Sequence, residues 1–454
     1  MKFSRILFYS VLASYILVGC ATFSQDGGLA GVKKTTEQHI KQELVWPKTE
    51  AEQKITADRV NELLKTPMDA DCAVQITLLN NKGLQASLYE LGISEADVVQ
   101  AGRLPNPKFS MLYARNNGDY KIEQALTFNI FSLITMPKML AIERGNFEKT
   151  KHAVALNVLN LAHETRLAYF NAVAANEHVR YSEQVKESAE ASAELARRMV
   201  KAGNWNTLEQ AAEQNYYAEA VLEYANAKNQ QNSTQEALSR LLALPVDQLN
   251  LAKRLPDLPK TIEALQAYEK NAFEQRLDLQ AMRLETQALA KQLGLTKTTR
   301  FINVLEIGPA RVLEGRRGDP YKKGVEIAFE LPLFDWGGAK VARAEATYMQ
   351  AVNRTAQMAI NAQSEIREAY SRYQTSYEIA KHYRDEIVPL RKKVLDENQL
   401  RYNGMLISPF ELFADARAQV VSVNQTIAKL YEFWLAETAL QMSLVGSANN
   451  KEGK

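Results

Sequence analysis

The sequence predicts an α+β chain built from one unit used twice, a strand pair followed by a long helical hairpin. Three observations predict it. One segment recurs at a constant offset, alternating strands flank a tight-turn signal, and each strand pair leads into a very long stretch of helical composition.

The recurrence is direct. Leu126-Thr127-Phe128-Asn129-Ile130 returns as Ile327-Ala328-Phe329-Glu330-Leu331. Glu164, Arg166, Ala168 and Tyr169 return as Glu365, Arg367, Ala369 and Tyr370, and Gly203 as Gly404. Each pair lies 201 positions apart, as Phe128 and Phe329 do. That spacing is far longer than a solenoid period, so the chain holds two copies of one architecture.

The strands come next. Phe109, Met111 and Tyr113 alternate with Ser110, Leu112 and Ala114, and Asn116-Asn117-Gly118-Asp119 is a hairpin signal because Asn-Gly accepts positive φ. On the return strand Ile122, Leu126, Phe128 and Ile130 share a face with Gln124, opposite Glu123, Ala125, Thr127 and Asn129. In the second copy Val325, Ile327, Phe329 and Leu331 oppose Glu326, Ala328 and Glu330, and the incoming strand at 300–312 contains Gly308-Pro309. This period suits a half-buried soluble sheet and equally a membrane barrel with lipid outside and water within.

The helices are outsized. Residues 138–202 lack proline and 339–402 contain only Pro389; at 1.5 Å per residue such a stretch makes a rod of roughly 95 Å. Helices this long belong to coiled coils. Leu161, Ala168, Ala175, Ser182, Ala189 and Ala196 form a heptad row, small after its first member, that lets neighbouring helices approach closely. In the second copy the row keeps Ala362, Ala369 and Ser376, then admits Tyr383 and Leu390. Partner helices are expected at 208–244 and 409–446. Upstream, apolar spacing predicts a helix over 70–102, stopped by Leu104-Pro105-Asn106-Pro107.

The turns joining the hairpins read as matched tips. Ser408-Pro409-Phe410-Glu411 is a capping box with proline at the first helical position, and Ile407 and Leu412 are spaced for a hydrophobic staple. In copy one Thr207 is expected as the cap, with Gln210 in the reciprocal role.

At 454 residues the chain can bury a large core, and 55 basic against 53 acidic residues leave a net +2, so no global field points to nucleic acid. Lys2 and Arg5 precede an apolar run over 6–18, too short to span a bilayer as a helix and suited to a secretory signal. Its ending, Leu17-Val18-Gly19-Cys20, resembles the lipobox of bacterial lipoproteins, which implies a lipid on Cys20 after cleavage; Ala21 follows where an inner-membrane retention Asp often stands. With Cys20 acylated, Cys72 has no cysteine partner and reads as a small buried helix residue.

Catalytic signals are missing. The five histidines at 39, 152, 163, 178 and 382 include no pair at ligand spacing, and His163 reads as a helix-surface residue. Asp335-Trp336-Gly337-Gly338 lacks the Lys-Ser/Thr ending of a phosphate loop and reads as a tight strand-to-helix turn.

From about Ala70 to Gly446 the chain resembles the TolC-like outer-membrane efflux family. The resemblance rests on Leu104-Pro105-Asn106-Pro107, on Arg276-Leu277-Asp278-Leu279 where the family usually has Arg-Pro-Asp-Leu, and on the tip from Tyr402 to Arg417. Its most specific part is Leu331-Pro332-Leu333-Phe334-Asp335-Trp336-Gly337-Gly338. The resemblance implies an α+β membrane protein: a homotrimer whose duplicated units close a twelve-stranded outer-membrane β-barrel continued by a periplasmic α-helical tunnel. It implies a passive duct of a tripartite efflux or type I secretion system, lipid-anchored in the outer membrane. The implied partners are a periplasmic adaptor (membrane fusion) protein and an inner-membrane pump.

It also implies a periplasmic gate. Glu411 falls where the family's first acidic ring belongs, Ala414 where the second does, with Asp415 one place later and Gln210 corresponding in copy one. Tyr402 matches an aromatic tip residue that helps hold the channel shut. No catalytic residue, metal site or cofactor beyond the Cys20 lipid is expected. The competing reading is a non-conducting, periplasm-spanning coiled-coil structural lipoprotein, and the cargo (drug, metal ion or polypeptide) is left open.

The boundaries that follow are a signal peptide over 1–19 and a lipid-anchored tether over 20–69. A first repeat covers 70–247, with strands at 107–131 and a helical hairpin at 138–244. A second covers 248–447, with strands at 300–332 and a hairpin at 339–446, leaving a tail at 448–454.

Overall fold

A computed structural model describes residues 22–264, 275–301, 304–316 and 318–447. Cys20 and the signal segment lie outside them. In chain order the elements are α1 (Leu29–Glu37), α2 (Glu50–Leu63), α3 (Ala70–Asn80), α4 (Lys82–Ala101), β1 (Lys108–Asn116) and β2 (Asp119–Asn129). Then come α5 (Ile130–Lys201), α6 (Thr207–Leu242), α7 (Leu277–Thr299), β3 (Leu305–Gly315) and β4 (Lys322–Phe329). The chain closes with α8 (Gly338–His382), a π-helical turn (Tyr383–Ile387), α9 (Val388–Asn403) and α10 (Pro409–Val445).

These residues pack as two units that cut across the duplication. Among the described residues, one comprises those up to Val32, Ser87–Val154 and Leu277–Ala359; the other comprises Lys33–Ala86, Ala155–Arg276 and those from Ile360 onward.

The first unit holds a four-stranded antiparallel sheet of order β1-β2-β3-β4, so the strand pairs of both copies share one sheet. Asn117 and Gly118 both take positive φ in the β1–β2 turn, as Asn-Gly chemistry requires. The register aligns Phe109 with Leu126, Tyr113 with Ile122, Ile122 with Leu313, Phe128 with Ile307, Ile307 with Ile327 and Leu305 with Phe329. Cross-strand partners share a face, so one side of the sheet gathers most of the strands' large apolar side chains, broken by Arg115, Gln124, Arg311 and Lys323. Phe109, Tyr113, Val325, Ile327 and Phe329 are all more than half exposed on it.

The other face is polar. Lys108 pairs with Glu306, whose second oxygen accepts from Thr127 Oγ1 at 3.4 Å. Lys121 lies 2.9 Å from Glu123, and Lys322 lies 3.5 Å from Glu314. Gly308 makes the β2–β3 contact possible, because a Cβ there would sit 1.9 Å from the Leu126 carbonyl. After β4, the Asp335 side chain accepts the Gly337 N–H at 2.8 Å and Gly337 takes φ 74°, which is the tight strand-to-helix turn read from Asp335-Trp336-Gly337-Gly338.

The second unit is helical. Its main core gathers Met68, Ile76, Leu79, Tyr169, Phe170, Val173, Leu238 and Leu242, and the Tyr169 hydroxyl donates to the Met68 carbonyl at 2.8 Å. Around Phe433, the rings of Tyr373, Tyr377 and Trp434 lie 5.1–5.8 Å away. The small seam is real in copy one, where Ala175, Ser182, Ala189 and Ala196 are buried, whereas copy two buries Tyr373 and Tyr377 beside Ala362 and Ala380.

Four expectations need correction. The tether expected over 20–69 contains α1 and α2 in its described part, and Val32, Leu44, Trp46 and Val60 are buried. Thr49 and Glu52 close a capping box at the start of α2, which fixes that helix locally. The helix expected to begin at 138 begins at Ile130, because the Asn129 side chain caps it by accepting the Ser132 N–H at 2.9 Å. Pro137 is accommodated inside it.

The helix expected over 70–102 is two, parted at Asn81, whose extended backbone and hydrogen bond to the Leu241 carbonyl at 2.9 Å end the first. His163 is not a surface residue: its Nδ1 lies 3.2 Å from the Thr438 carbonyl, and burial pushes the imidazole below its usual value. Cys72, in α3, is half-buried, and burial pushes its thiol up.

Candidate functional site at the helical tips

Both hairpin tips lie in the second unit. In copy two, α9 ends with the Leu406 N–H donating to the Arg401 carbonyl and the Met405 N–H to the Tyr402 carbonyl, both at 2.9 Å. The residue closing such a reversal takes left-handed backbone, a position glycine usually fills. Here Met405 fills it, with φ 60° and its side chain 94% exposed. Gly404 has φ −82° and needs no glycine. The next helix starts on Ser408: its Oγ accepts the Glu411 N–H at 3.2 Å while Glu411 Oε2 accepts the Ser408 N–H at 2.9 Å. Tyr402 stands partly exposed in the last turn of α9.

Copy one repeats the reversal. The Asn204 N–H donates to the Met199 carbonyl at 2.9 Å, and Gly203 takes φ 75°. The cap is Asn206, not Thr207. Asn206 Oδ1 accepts the Glu209 N–H at 2.8 Å and Glu209 Oε2 accepts the Asn206 N–H at 3.3 Å. Thr207 is the first helical residue, and Gln210 lies one place beyond the box. Asparagine is the stronger N-cap of the two neighbours, and it sets the tip one residue earlier than the 201-residue offset predicts.

Matched by role, Gly203 pairs with Met405, Asn206 with Ser408 and Glu209 with Glu411, each 202 positions apart. The additional residue is absorbed at Tyr383–Ile387, where the Val388 N–H donates to the Tyr383 carbonyl in a π turn. A π turn holds one inserted residue. Pro389, lacking an N–H and crowding the preceding turn, favours the wider ladder there.

The shifted register brings Glu213 into correspondence with Asp415. Asp415 accepts a hydrogen bond from Asn398 across the α9–α10 hairpin. Glu213 is fully buried, accepting from Ser192 Oγ at 2.6 Å and pairing with Arg417, whose guanidinium lies 4.2 Å from the Tyr216 ring. This clasp ties α5, α6 and α10 together just behind the tips. Trp205 and Phe413 meet edge-on at 6.5 Å. A cavity of about 240 Å³ opens alongside, lined by Val185, Ser192, Leu195, Tyr216, Phe413 and Val420. Nearer the end of α5, hydrogen bonds from Arg197 and Arg198 hold Glu194 down to about 2.

Sequence reading missed Glu213, Ser192 and Arg417. Glu213 opens a heptad row continued by Ala220, Ala227 and Thr234, all buried on α6. A carboxylate at a small-residue seam position was the legible signal. The tips hold no nucleophile–base arrangement, and among the described residues no group of three or more His, Cys, Asp or Glu side chains could hold a metal.

Residues 73–244 match the family described as Outer membrane efflux protein. Over that segment, less than half of the chain, it is similar to the outer-membrane efflux proteins. It is 22% identical over 274 residues to the cobalt-zinc-cadmium resistance protein CzcC of Cupriavidus metallidurans, a match spanning 59% of this chain and 64% of that relative. Among solved structures it resembles the Campylobacter jejuni CmeC outer membrane channel, with TM-score 0.70, 16% identity and 91% of each chain covered. It also resembles the open state of the Neisseria gonorrhoeae MtrE outer membrane channel, with TM-score 0.68, 14% identity and 86% and 91% covered.

The matched family and the similar solved structures are outer membrane efflux proteins and channels. No described helix is long and apolar enough to cross a membrane.

Proposed function

We propose that this chain is the outer-membrane channel component of a tripartite efflux or type I secretion system. In this reading three copies close a twelve-stranded barrel prolonged by a periplasmic helical tunnel. The channel conducts substrates passively, a periplasmic adaptor joins it to an inner-membrane pump, and a lipid on Cys20 tethers each copy to the outer membrane. The pump sets the cargo.

One observation carries the reading: the sheet has an apolar face left exposed and two outer edges, β1 and β4, of 9 and 8 residues. Unpaired strand edges are intolerable in lipid. Edges of matched length, each on a different strand pair, are satisfied when β4 of one copy meets β1 of the next. The two inner strands, of 11 residues each, extend about 36 Å, and a tilt of roughly 40° leaves about 28 Å, enough for an apolar band of about 25 Å. A structural scaffold has no use for such a face.

At the tips, Glu411 and Glu209 are the carboxylates in equivalent places, with Asp415 on the second hairpin. We assign them, with Tyr402, to a periplasmic constriction that favours cations, while Glu411 also caps α10. The test is planar-bilayer recording on detergent-purified protein together with its mass in detergent. A conducting trimer is expected; a monomer without conductance refutes the proposal.

A further inference from the structure

Between α1 and α2 the chain runs without helix or strand over residues 38–48. Ile40, Gln42, Leu44 and Trp46 are buried there, every second residue, so the segment is an extended strap with alternate side chains turned inward. Its middle is tied to α3: the Glu43 N–H donates to Gln75 Oε1 at 2.8 Å, and Gln75 Nε2 donates to the Glu43 carbonyl at 3.0 Å. The Glu43 carboxylate lies 2.6 Å from Arg59 and 3.3 Å from Lys33. Hydrogen bonds from those two cations hold it below the usual carboxylate range, so this tie survives mild acid.

The leading end of the strap is held differently. His39 and Ile40 line a cavity of about 40 Å³ shared with Leu159, His163 and Arg166 of α5 and Met442 of α10. That is room for bound water but not for a counter-ion of any size. His163 Nδ1 lies 3.2 Å from the Thr438 carbonyl. A carbonyl only accepts, so Nδ1 carries the proton and a second one must go to Nε2. The Gln441 oxygen in the same lining already accepts from Arg166 Nη1 at 2.9 Å.

The charges around the two rings are unbalanced. The cavity lining includes Arg166 and no carboxylate. Behind it stand Asp71 of α3, 2.9 Å from Arg166 Nη2, and Glu437 of α10, which accepts from Gln441. Glu37 and Lys41, which flank His39 along the chain, are exposed. Burial pushes both imidazoles below their ordinary value, and Arg166 pushes His163 further the same way. Burial pushes the Glu437 carboxyl up, so acid removes a counter-charge of Arg166 while it adds charge to the rings.

We propose that His39 and His163 form an acid-sensitive latch, which holds residues 38–41 against α5 and α10 and releases them when the rings take up protons. Each ring is neutral in the closed form, so the latch is whole above pH 6.5 and opens as the pH falls through the folded values. Opening lets both imidazolium groups reach water, while 42–46 stay tied through Glu43. The latch lies within one copy and operates whether or not the chain conducts.

Hydrogen–deuterium exchange mass spectrometry of the full-length protein in detergent tests it, with overlapping peptides that separate residues 38–41 from 42–46. The reporters are the His39 and Ile40 amides, both of which donate to the Thr36 carbonyl at 2.9 Å, and the Glu43 amide is the internal control. After correction for the intrinsic rate, protection at 38–41 should fall about 10-fold between pH 7.5 and 5.0, because one proton taken up on opening changes the opening constant tenfold per pH unit. Protection at Glu43 should hold. In the His39→Gln/His163→Gln double variant the fall at 38–41 should shrink to under about 2-fold, with each single variant between. An equal fall in wild type and double variant overturns the proposal. So does a wild type that loses protection equally at 38–41 and at Glu43, or at neither, an outcome that decides the matter even if the double variant does not fold.

Discussion

Replacing Met405 by glycine should tighten the second tip. Met405 holds φ 60°, and left-handed backbone costs a residue with a Cβ about 1–2 kcal/mol. Glycine removes that cost but loses about 0.5–1 kcal/mol through its freer unfolded chain. The Met405 side chain is 94% exposed, so no packing is lost, and the net gain is about 0.5–1 kcal/mol. The gain is local, so the assay is hydrogen–deuterium exchange of a peptide spanning the tip, whose Met405 and Leu406 amides close the reversal. Their exchange should slow about 2- to 5-fold. The neighbouring Gly404→Ala should leave exchange unchanged or slower, because φ there is −82° and a Cβ meets nothing nearer than 3.5 Å. Faster exchange in Met405→Gly, or a loosened tip in Gly404→Ala, would refute the 202-residue register and restore Gly404 as the turn residue.

Three further perturbations follow. Arg417→Met strands the buried Glu213 carboxylate and should destabilise the fold by about 3–5 kcal/mol, while adding Glu213→Gln should recover most of that in denaturant melts; equal melting of all three proteins would remove the clasp. Glu411→Gln should reduce cation preference, read as a shifted reversal potential in asymmetric salt with the trimer intact; an unmoved potential leaves Glu411 as a cap only. Burial depresses His163 below its ordinary 6.5, so the unfolded chain takes up a proton that the folded chain refuses. Its stabilising contribution is present above pH 6.5 and is lost as the pH falls through the folded value. The melting temperature of His163→Gln should therefore drop less than that of the wild type between pH 7.5 and 5.5, and parallel drops would exclude His163 as the source.

Legibility varied with the range of the interaction that decides each feature. The strand alternation, the Asn117-Gly118 turn and the Ser408–Glu411 box are set by residues within a few positions, and they stand where their spacing put them. Thr49 and Glu52 form an equally local box, and reading it would have replaced the tether by a helix. The copy-one cap failed for another reason: Asn206 and Thr207 are both good caps, and the offset that aligns Gly203 with Gly404 selected the wrong one. The Glu213–Arg417 clasp joins residues 204 positions apart on helices that meet only after folding, so spacing alone could not pair them.

Duplication, amphipathic strands and proline-free helices were determined by the chain itself, because each follows from backbone preference and from the period with which apolar residues recur. Tertiary structure decided three things that local preference leaves degenerate. It placed the strand pairs of both copies in one sheet, absorbed the additional residue of the second copy in a π turn, and set Arg417 against the buried Glu213. Those outcomes depend on which distant backbone supplies the partner for a carbonyl or a charge, and that is settled only when the copies pack.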